Sequence, residues 1–477
     1  TDEQQRALKL DALDNTHPVE VKVSHPDEIR TIFDTISYSK GASVIHMLNS
    51  YLGADKFQAG LQNYLSKHAY KNTDTIDLWT ALEETSKMPV VSFISRWTNQ
   101  SGFPILTVSD DTVEQTRFFV DPDHKPDKTT WPIPLGIDNK ILESKSDTVQ
   151  GDNIYNSDRS GFYRVVYQNS ALDNVLAKLA TLPDITRMSI ISDMSEASRA
   201  GYINSVATFK TVRKLDHETS FVVWESMIGF LASVRNGMKS KEIDELIKPY
   251  KLKLSESSYN NLGWEHSPDD SHFTKMLRTL IVGINCSAQN PHAIKKCESI
   301  YKKLIENGTP IDPDFKSAVL TTIAKHGDGK VFTELENLHN SSTSSEEKHV
   351  LCAAITNFKQ EKQIQQSLAM IRSDHVRLQD IGHWLAYSLS NIYAFRLTWD
   401  WIKDNWDWLE ENLGADMSFS RMPIYVANHI SDETLKKDYQ KFFDAHKSTS
   451  TKRAYDQGQE LINAKIAWKK RDEKSIL

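Results

Sequence analysis

Apolar positions first recur at helical spacing between residues 29 and 52. Ile29, Ile32, Phe33 and Ile36 fall at i, i+3, i+4 and i+7, the stripe of an amphipathic helix that Pro26 and Asp27 would open as first-turn residues. Val44, Ile45, Leu48, Tyr51 and Leu52 form a second stripe, closed by Gly53 as a C′ residue. Tyr38 lies between them, so the pattern predicts a tyrosine held at a break between two packed helices and facing a cleft. On the residues alone, a satisfied, half-buried structural tyrosine is the better reading, with a catalytic role as the alternative. Three more short helices follow. Phe57, Leu61, Tyr64 and Leu65 mark the first, Leu78, Trp79 and Leu82 the second after the cap-like Thr73-Asp74-Thr75, and Val90, Ile94 and Trp97 the third.

The period changes near residue 100. Residues 103–108, 116–120, 131–137 and 162–167 are short runs rich in β-branched and aromatic side chains, separated by turn-rich segments such as 121–126. Such spacing predicts a small antiparallel β-sandwich. Trp131 and Tyr163 are expected to pack its core, with a carbohydrate-type surface as the alternative reading. From Pro183 to the end, helical patterns alternate with short polar loops. The loop at 340–345 ends in a capping box, Ser344 to Glu347, before Val350, Leu351, Ala354 and Ile355. Successive helix pairs without strands predict an α-helical solenoid of the HEAT/ARM-like kind. Within it Trp399, Ile402, Trp406 and Leu409 share one helix face while Trp401 and Trp408 lie on another. A helix apolar on two faces is usually sandwiched between neighbours, so core packing is expected over an aromatic peptide-binding surface. The fold class is therefore mainly α with a small β-sandwich, with domains at 1–99, 100–182 and 183–477.

Composition narrows the function classes. A chain of 477 residues accommodates about three domains. A net charge of −7 argues against a general nucleic-acid binder, which needs clustered basic residues. No apolar run reaches the length of a membrane span, and the opening residues do not read as a signal peptide. Three cysteines, Cys286, Cys297 and Cys352, leave one over in any pairing, which predicts reduced thiols and a cytoplasmic setting. The sequon at Asn307 does not establish secretion. The first residue is Thr, and Leu8, Leu10 and Leu13 look for an upstream packing partner, which suggests a fragment.

The run from Asp11 to Glu20, then Pro26 to Ile29, then Phe33-Asp34-Thr35-Ile36-Ser37-Tyr38-Ser39-Lys40-Gly41-Ala42, resembles the segment just after the active-site helices of zinc aminopeptidases of the aminopeptidase N and puromycin-sensitive aminopeptidase family, which are gluzincins. The stretch 97–104 resembles that family's exit from its thermolysin-like catalytic domain. Residues 131–134 and 160–167 resemble its β-sandwich, and 376–380 and 394–406 its later helices. The resemblance implies a metalloaminopeptidase acting on peptide substrates with zinc as cofactor. It implies that Tyr38 donates a hydrogen bond to the oxyanion formed when zinc-bound water attacks the first peptide bond, and that Phe33 forms a wall of the pocket for the substrate's first side chain.

Zinc ligands are not among the motifs present. A His-Glu-x-x-His helix places two imidazoles on one face with a Glu between them as base. The single His-Glu pair here is His217-Glu218, and position 221 is Phe. The Gly-x-Met-Glu-Asn motif that holds a substrate's free amine is absent too. Both are expected upstream of Thr1, making the metal-binding half of the same protein the partner of this chain and the chain alone non-catalytic. His46 is a lone imidazole. His266 and His272, with Glu265, Asp269 and Asp270, form the one His/acid cluster, read as a solvated loop rather than a metal site. The rival reading is a non-catalytic helical module that binds peptides or a protein; a structural solenoid unrelated to peptidases is a third.

Overall fold

The computed structural model describes residues 2–23, 32–124, 127–136, 140–149, 151, 153–414 and 416–477. Pro26, Asp27 and Ile29, which would open the first amphipathic helix, lie outside them, as does Ile137 of the third expected strand. The described residues are mostly helical and divide into two compact units, Thr1–Lys214 and Leu215–Leu477.

In the first unit, the helix Gly41–Leu52 buries Val44, Met47, Leu48 and Leu52, while Ile45 remains 43% exposed. The apolar stripe is thus narrower than its hydrophobic letters suggest. The helix packs against Ala54–Lys67 and Val90–Thr98 on one side, and Ile45 stands about 100° from Val44 around the axis. Tyr51 stacks on Phe93 at 4.9 Å. Gly53, at φ +84°, ends the helix in a conformation other residues rarely adopt. Asp74 caps Thr75–Ser86 through a capping box with Asp77, and Val90, Ile94 and Trp97 are fully buried as their spacing predicts. Leu65 departs from its stripe and is exposed.

The strands are β1 (Pro104–Ser109), β2 (Thr112–Arg117), β3 (Ile133–Pro134), β4 (Ile141–Leu142), β5 (Ser146–Thr148) and β6 (Arg164–Gln168). Four of them form one sheet in the order β5-β2-β1-β6; β3 and β4 form a separate two-residue ribbon. The sheet is mixed: β1 runs antiparallel to β2 but parallel to β6, with Ile105 opposite Arg164. This corrects the expectation of an all-antiparallel arrangement. β2 returns the chain to the end of the sheet where β1 began, and β6 enters there beside β1 in the same direction. Gln115 on β2 ties sheet to ribbon. Its amide nitrogen donates to the carbonyls of Trp131, Leu142 and Ser144, and its oxygen accepts from Trp131 N at 2.8 Å. Trp131 and Tyr163 are buried in the core. The helix Asp184–Ala200 is fastened to β6 by Asp193, which accepts from Arg164 at 2.9 Å and from Val165 N at 3.0 Å.

In the second unit, helices two apart along the chain lie side by side. His272–Ser287 packs on Pro313–His326, which packs on Ser345–Ile355, which packs on Ile381–Ser390. Pro291–Asn307, Gly329–Ser341 and Glu361–Met370 are the intervening α-helices, and this alternation is the pattern of stacked hairpins. The 28-residue helix Thr449–Ile476 packs on Phe221–Met238 and Met422–Ala427. Ser344 caps Ser345–Ile355 as expected, but the Glu347 carboxylate turns to Lys316 and Ser342 instead of completing the box. The tryptophan-rich stretch is two helices, Phe395–Asp404 and Trp406–Leu413, divided at Asn405. Trp399, Ile402, Trp406 and Leu409 are core, and Trp401 and Trp408 meet edge to face at 6.4 Å.

Candidate functional site

Tyr38 does not sit at a break between helices. It lies inside a π-helical turn, Ile36–Lys40, that runs without interruption into Gly41–Leu52. A π-turn holds one more residue than an α-turn and so changes where side chains point relative to the helix that follows; such turns are frequent at functional sites. Ile36, Ser39 and Lys40 point inward, and Tyr38 points outward, 58% exposed.

Each end of the turn is pinned. At its start, the Asp34 carboxylate accepts from the backbone nitrogens of Ile36 at 2.8 Å and Ser37 at 3.3 Å, taking up donors that have no partner within the turn. The Asp34 carbonyl accepts from Tyr38 N at 3.2 Å. The other Asp34 carboxylate oxygen meets His17 Nε2 at 3.0 Å, while His17 Nδ1 lies 2.7 Å from the Pro18 carbonyl. Ser37 Oγ donates to the Ile32 carbonyl at 2.6 Å. At the far end, Lys40 is wholly buried, its ammonium donating to the carbonyls of Gln100 at 3.1 Å and Gly102 at 3.0 Å. It stands 2.9 Å from Asp11 Oδ2, and that carboxylate is wholly buried too. Asp11 Oδ1 accepts from Gly102 N and Thr16 Oγ1, each at 2.9 Å. Between these anchors Ser39 Oγ donates to Glu3 at 2.6 Å, tying the turn to the helix Asp2–Asp11.

Phe33 and Tyr38, the two site residues singled out from the sequence, are brought together. Their rings meet edge to face at 5.0 Å, and Phe33 is 63% exposed. The Tyr38 hydroxyl has no hydrogen-bond partner among the described residues, so it is available to donate. Chemically, the arrangement presents a phenol donor beside an apolar ring on a fixed backbone. Sequence reasoning missed the residues that fix it: His17, Asp34, Asp11 and Lys40. Asp34 carried a legible signal, since Asp commonly caps a turn two or three residues ahead. Lys40 carried none, because a lysine near a helix start ordinarily reads as solvated.

The remaining histidines separate. His46 is exposed. His217 is exposed, and Glu218 turns back to accept from Thr219 N and Ser220 N. His266 does not join His272; its Nε2 lies 3.1 Å from Asp314 and 3.7 Å from Asp312. The ligand atoms of these three lie within 4.8 Å of one another, the spacing of a metal-ligand set. Arg278, however, can only donate, and it donates to His266 Nδ1 at 3.1 Å. The neutral ring then carries its hydrogen on Nε2, aimed at the carboxylates. Arg278 thus stands on the Nδ1 side of the ring, and the Nε2 hydrogen, which faces Asp312 and Asp314 without a hydrogen bond of good geometry, leaves no lone pair for a metal between the carboxylates. The described residues therefore do not offer a fitting set for a catalytic zinc.

Comparison with known proteins accounts for both units. Residues 1–97 match the Peptidase family M1 domain, and residues 153–464 match the ERAP1-like C-terminal domain. The chain is 30% identical to aminopeptidase 2 of Candida albicans, with 100% of the chain and 54% of that protein aligned. It is 30% identical to puromycin-sensitive aminopeptidase of Caenorhabditis elegans over 93% of the chain and 50% of that protein. It is 29% identical to human glutamyl aminopeptidase over 83% of the chain and 44% of that protein. The chain thus spans about half the length of the curated relatives it matches. With an M1 peptidase segment around Tyr38 followed by an ERAP1-like carboxy-terminal domain, the chain belongs to the M1 aminopeptidase family.

Proposed function

We propose that this chain is the carboxy-terminal portion of a zinc metalloaminopeptidase that removes amino-terminal residues from peptides, and that Tyr38 stabilises the oxyanion of the tetrahedral intermediate. The observation that carries the reading is an outward phenol on a turn anchored at both ends, by Asp34 on one side and by the buried Lys40 on the other. A donor already fixed where negative charge develops needs no reorganisation at the moment of reaction, which is why such donors lower barriers. Phe33, in edge contact with Tyr38, offers an apolar wall for the substrate's first side chain. Residues 1–99 would complete a thermolysin-like catalytic domain, 100–182 a β-sandwich domain and 183–477 a superhelical domain. The metal, its ligands, the catalytic base and the amine anchor are assigned to sequence preceding Thr1, and the chain alone would be inactive. Three free cysteines support a cytoplasmic setting, and among the described residues no helix is long and apolar enough to cross a membrane.

The test is Tyr38→Phe in the polypeptide that includes the upstream half. Loss of one oxyanion donor costs about 10²- to 10³-fold in turnover, so kcat is expected to fall by that factor with zinc content unchanged. Normal turnover would sink the assignment.

A further inference from the structure

Counted along the sequence, three cysteines leave one over; in space, two of them are already paired. Cys286, next to last in the helix His272–Ser287, and Cys297, in the helix Pro291–Asn307, bring their sulfurs to 3.6 Å across the turn of a helical hairpin. They are 4% and 0% exposed. Cys352, on Ser345–Ile355, is buried and makes no contact with another sulfur among the described residues. The setting of the pair is polar for a core. The Thr322 hydroxyl from Pro313–His326 faces both sulfurs. The hydroxyl of nearby Tyr259 meets Trp264 Nε1 and His292 Nδ1, each at 2.9 Å.

We infer that Cys286 and Cys297 are a reversible disulfide site, at which a small peroxide oxidant converts the thiol pair into a covalent link between the helices His272–Ser287 and Pro291–Asn307. The geometry needs little change. A disulfide places its sulfurs about 2.05 Å apart, so side-chain rotation of roughly 1.5 Å closes the gap. The two thiols are also unequal. The contact between the two sulfurs holds the Cys286 thiol pKa below the usual value and, with burial, pushes Cys297 up. Cys286 is therefore the nucleophile. Its thiolate attacks one oxygen of hydrogen peroxide, the O–O bond breaks, hydroxide leaves, and Cys286 becomes a sulfenic acid. The Cys297 sulfur then attacks Cys286 Sγ, the S–O bond breaks, and the departing hydroxide leaves as water with the Cys297 proton. Two thiols and one peroxide become one disulfide and two waters, and a thiol reductant reverses the change by exchange. Burial of both sulfurs selects a small peroxide over a bulky disulfide oxidant. Burial also pushes the Cys352 thiol up, which leaves it the slowest of the three.

The experiment is peroxide treatment of the folded chain, then alkylation and peptide mapping without reduction. The expected result is a cross-linked peptide joining Cys286 to Cys297, an alkylated Cys352, an unchanged far-ultraviolet circular dichroism spectrum, and recovery of all three thiols with dithiothreitol. Cys352→Ser should form the same cross-link. Cys297→Ser, or Cys297→Ala if the first does not fold, should form none and should accumulate Cys286 sulfenic acid that dimedone traps. Three alkylatable thiols after treatment that fully oxidises free dithiothreitol would overturn the proposal. So would a cross-link that includes Cys352, or one that forms only once the helical signal is lost.

Discussion

Replacing Lys40 with Met is the sharpest perturbation of the scaffold beneath Tyr38. Lys40 and Asp11 are both 0% exposed, and the ammonium lies 2.9 Å from Asp11 Oδ2 while its hydrogens serve the Gln100 and Gly102 carbonyls. Met nearly matches the lysine stem in volume, so packing is largely kept. The charge is not, and removing one partner of a buried pair costs about 3–5 kcal/mol because the other is left uncompensated. Here the Asp11 carboxylate keeps Gly102 N and Thr16 Oγ1 on its other oxygen. That partial satisfaction places the expected loss near the lower end, about 3 kcal/mol. With a urea slope of about 2 kcal/mol/M, the midpoint for the first unit should fall by about 1.5 M. Urea titration followed by circular dichroism and tryptophan emission reads this directly. Lys40→Met with Asp11→Leu should recover part of the loss, since no lone charge remains buried. A single-variant loss below about 1 kcal/mol, the range of an exposed pair such as Arg6 with Asp2, would refute the view that Lys40 anchors the turn.

Other outcomes follow from the same structure. Asp34→Ala should lower turnover of the complete enzyme without loss of zinc, because Ile36 N and Ser37 N lose their acceptor and the turn beneath Tyr38 loosens; wild-type kcat would show that Asp34 positions nothing. Burial raises the pKa of Glu196, but Arg199 at 3.0 Å, then Lys9 and Arg164, outweigh it and bring it down to about 2. The folded pKa is thus below the unfolded one, so the stabilisation is complete above the ordinary glutamate range and is lost as pH falls toward 2. Melting temperatures of Glu196→Gln should therefore converge on wild type in acid, and parallel profiles would contradict this. At Gly237 a Cβ would stand 2.5 Å from the Trp468 ring, so Gly237→Ala should destabilise the second unit by about 1–3 kcal/mol; an unchanged thermal midpoint would mean that the contact yields freely.

What was legible in the sequence was local. The Asp74 cap, the Gly53 terminus and the buried trio Val90, Ile94 and Trp97 depend on residues within one or two turns, and spacing alone locates them. Ile45 and Leu65 were misplaced because an apolar letter does not say how wide the partner surface is. The parallel pairing of β1 with β6 depends on a partner about sixty positions away, and neither strand's composition encodes direction. At the candidate site, the resemblance pointed to Tyr38 and Phe33, but pattern could not give the π-turn. Its register is set by long-range anchors, Lys40 on Asp11 and His17 on Asp34, that no local period carries. The His266 network and the Cys286–Cys297 contact are likewise products of helix stacking, joining side chains from different helices and loops.

The central claim, that Tyr38 interacts with the tetrahedral state rather than with bound peptide, is tested most directly by inhibition constants. In the complete enzyme, the affinity of a phosphinic peptide analogue of the tetrahedral intermediate should fall in Tyr38→Phe by the same factor as kcat/KM, about 10²- to 10³-fold, while the affinity of a planar, non-hydrolysable peptide stays unchanged. Equal affinity of the phosphinic analogue for the wild type and Tyr38→Phe would contradict the account.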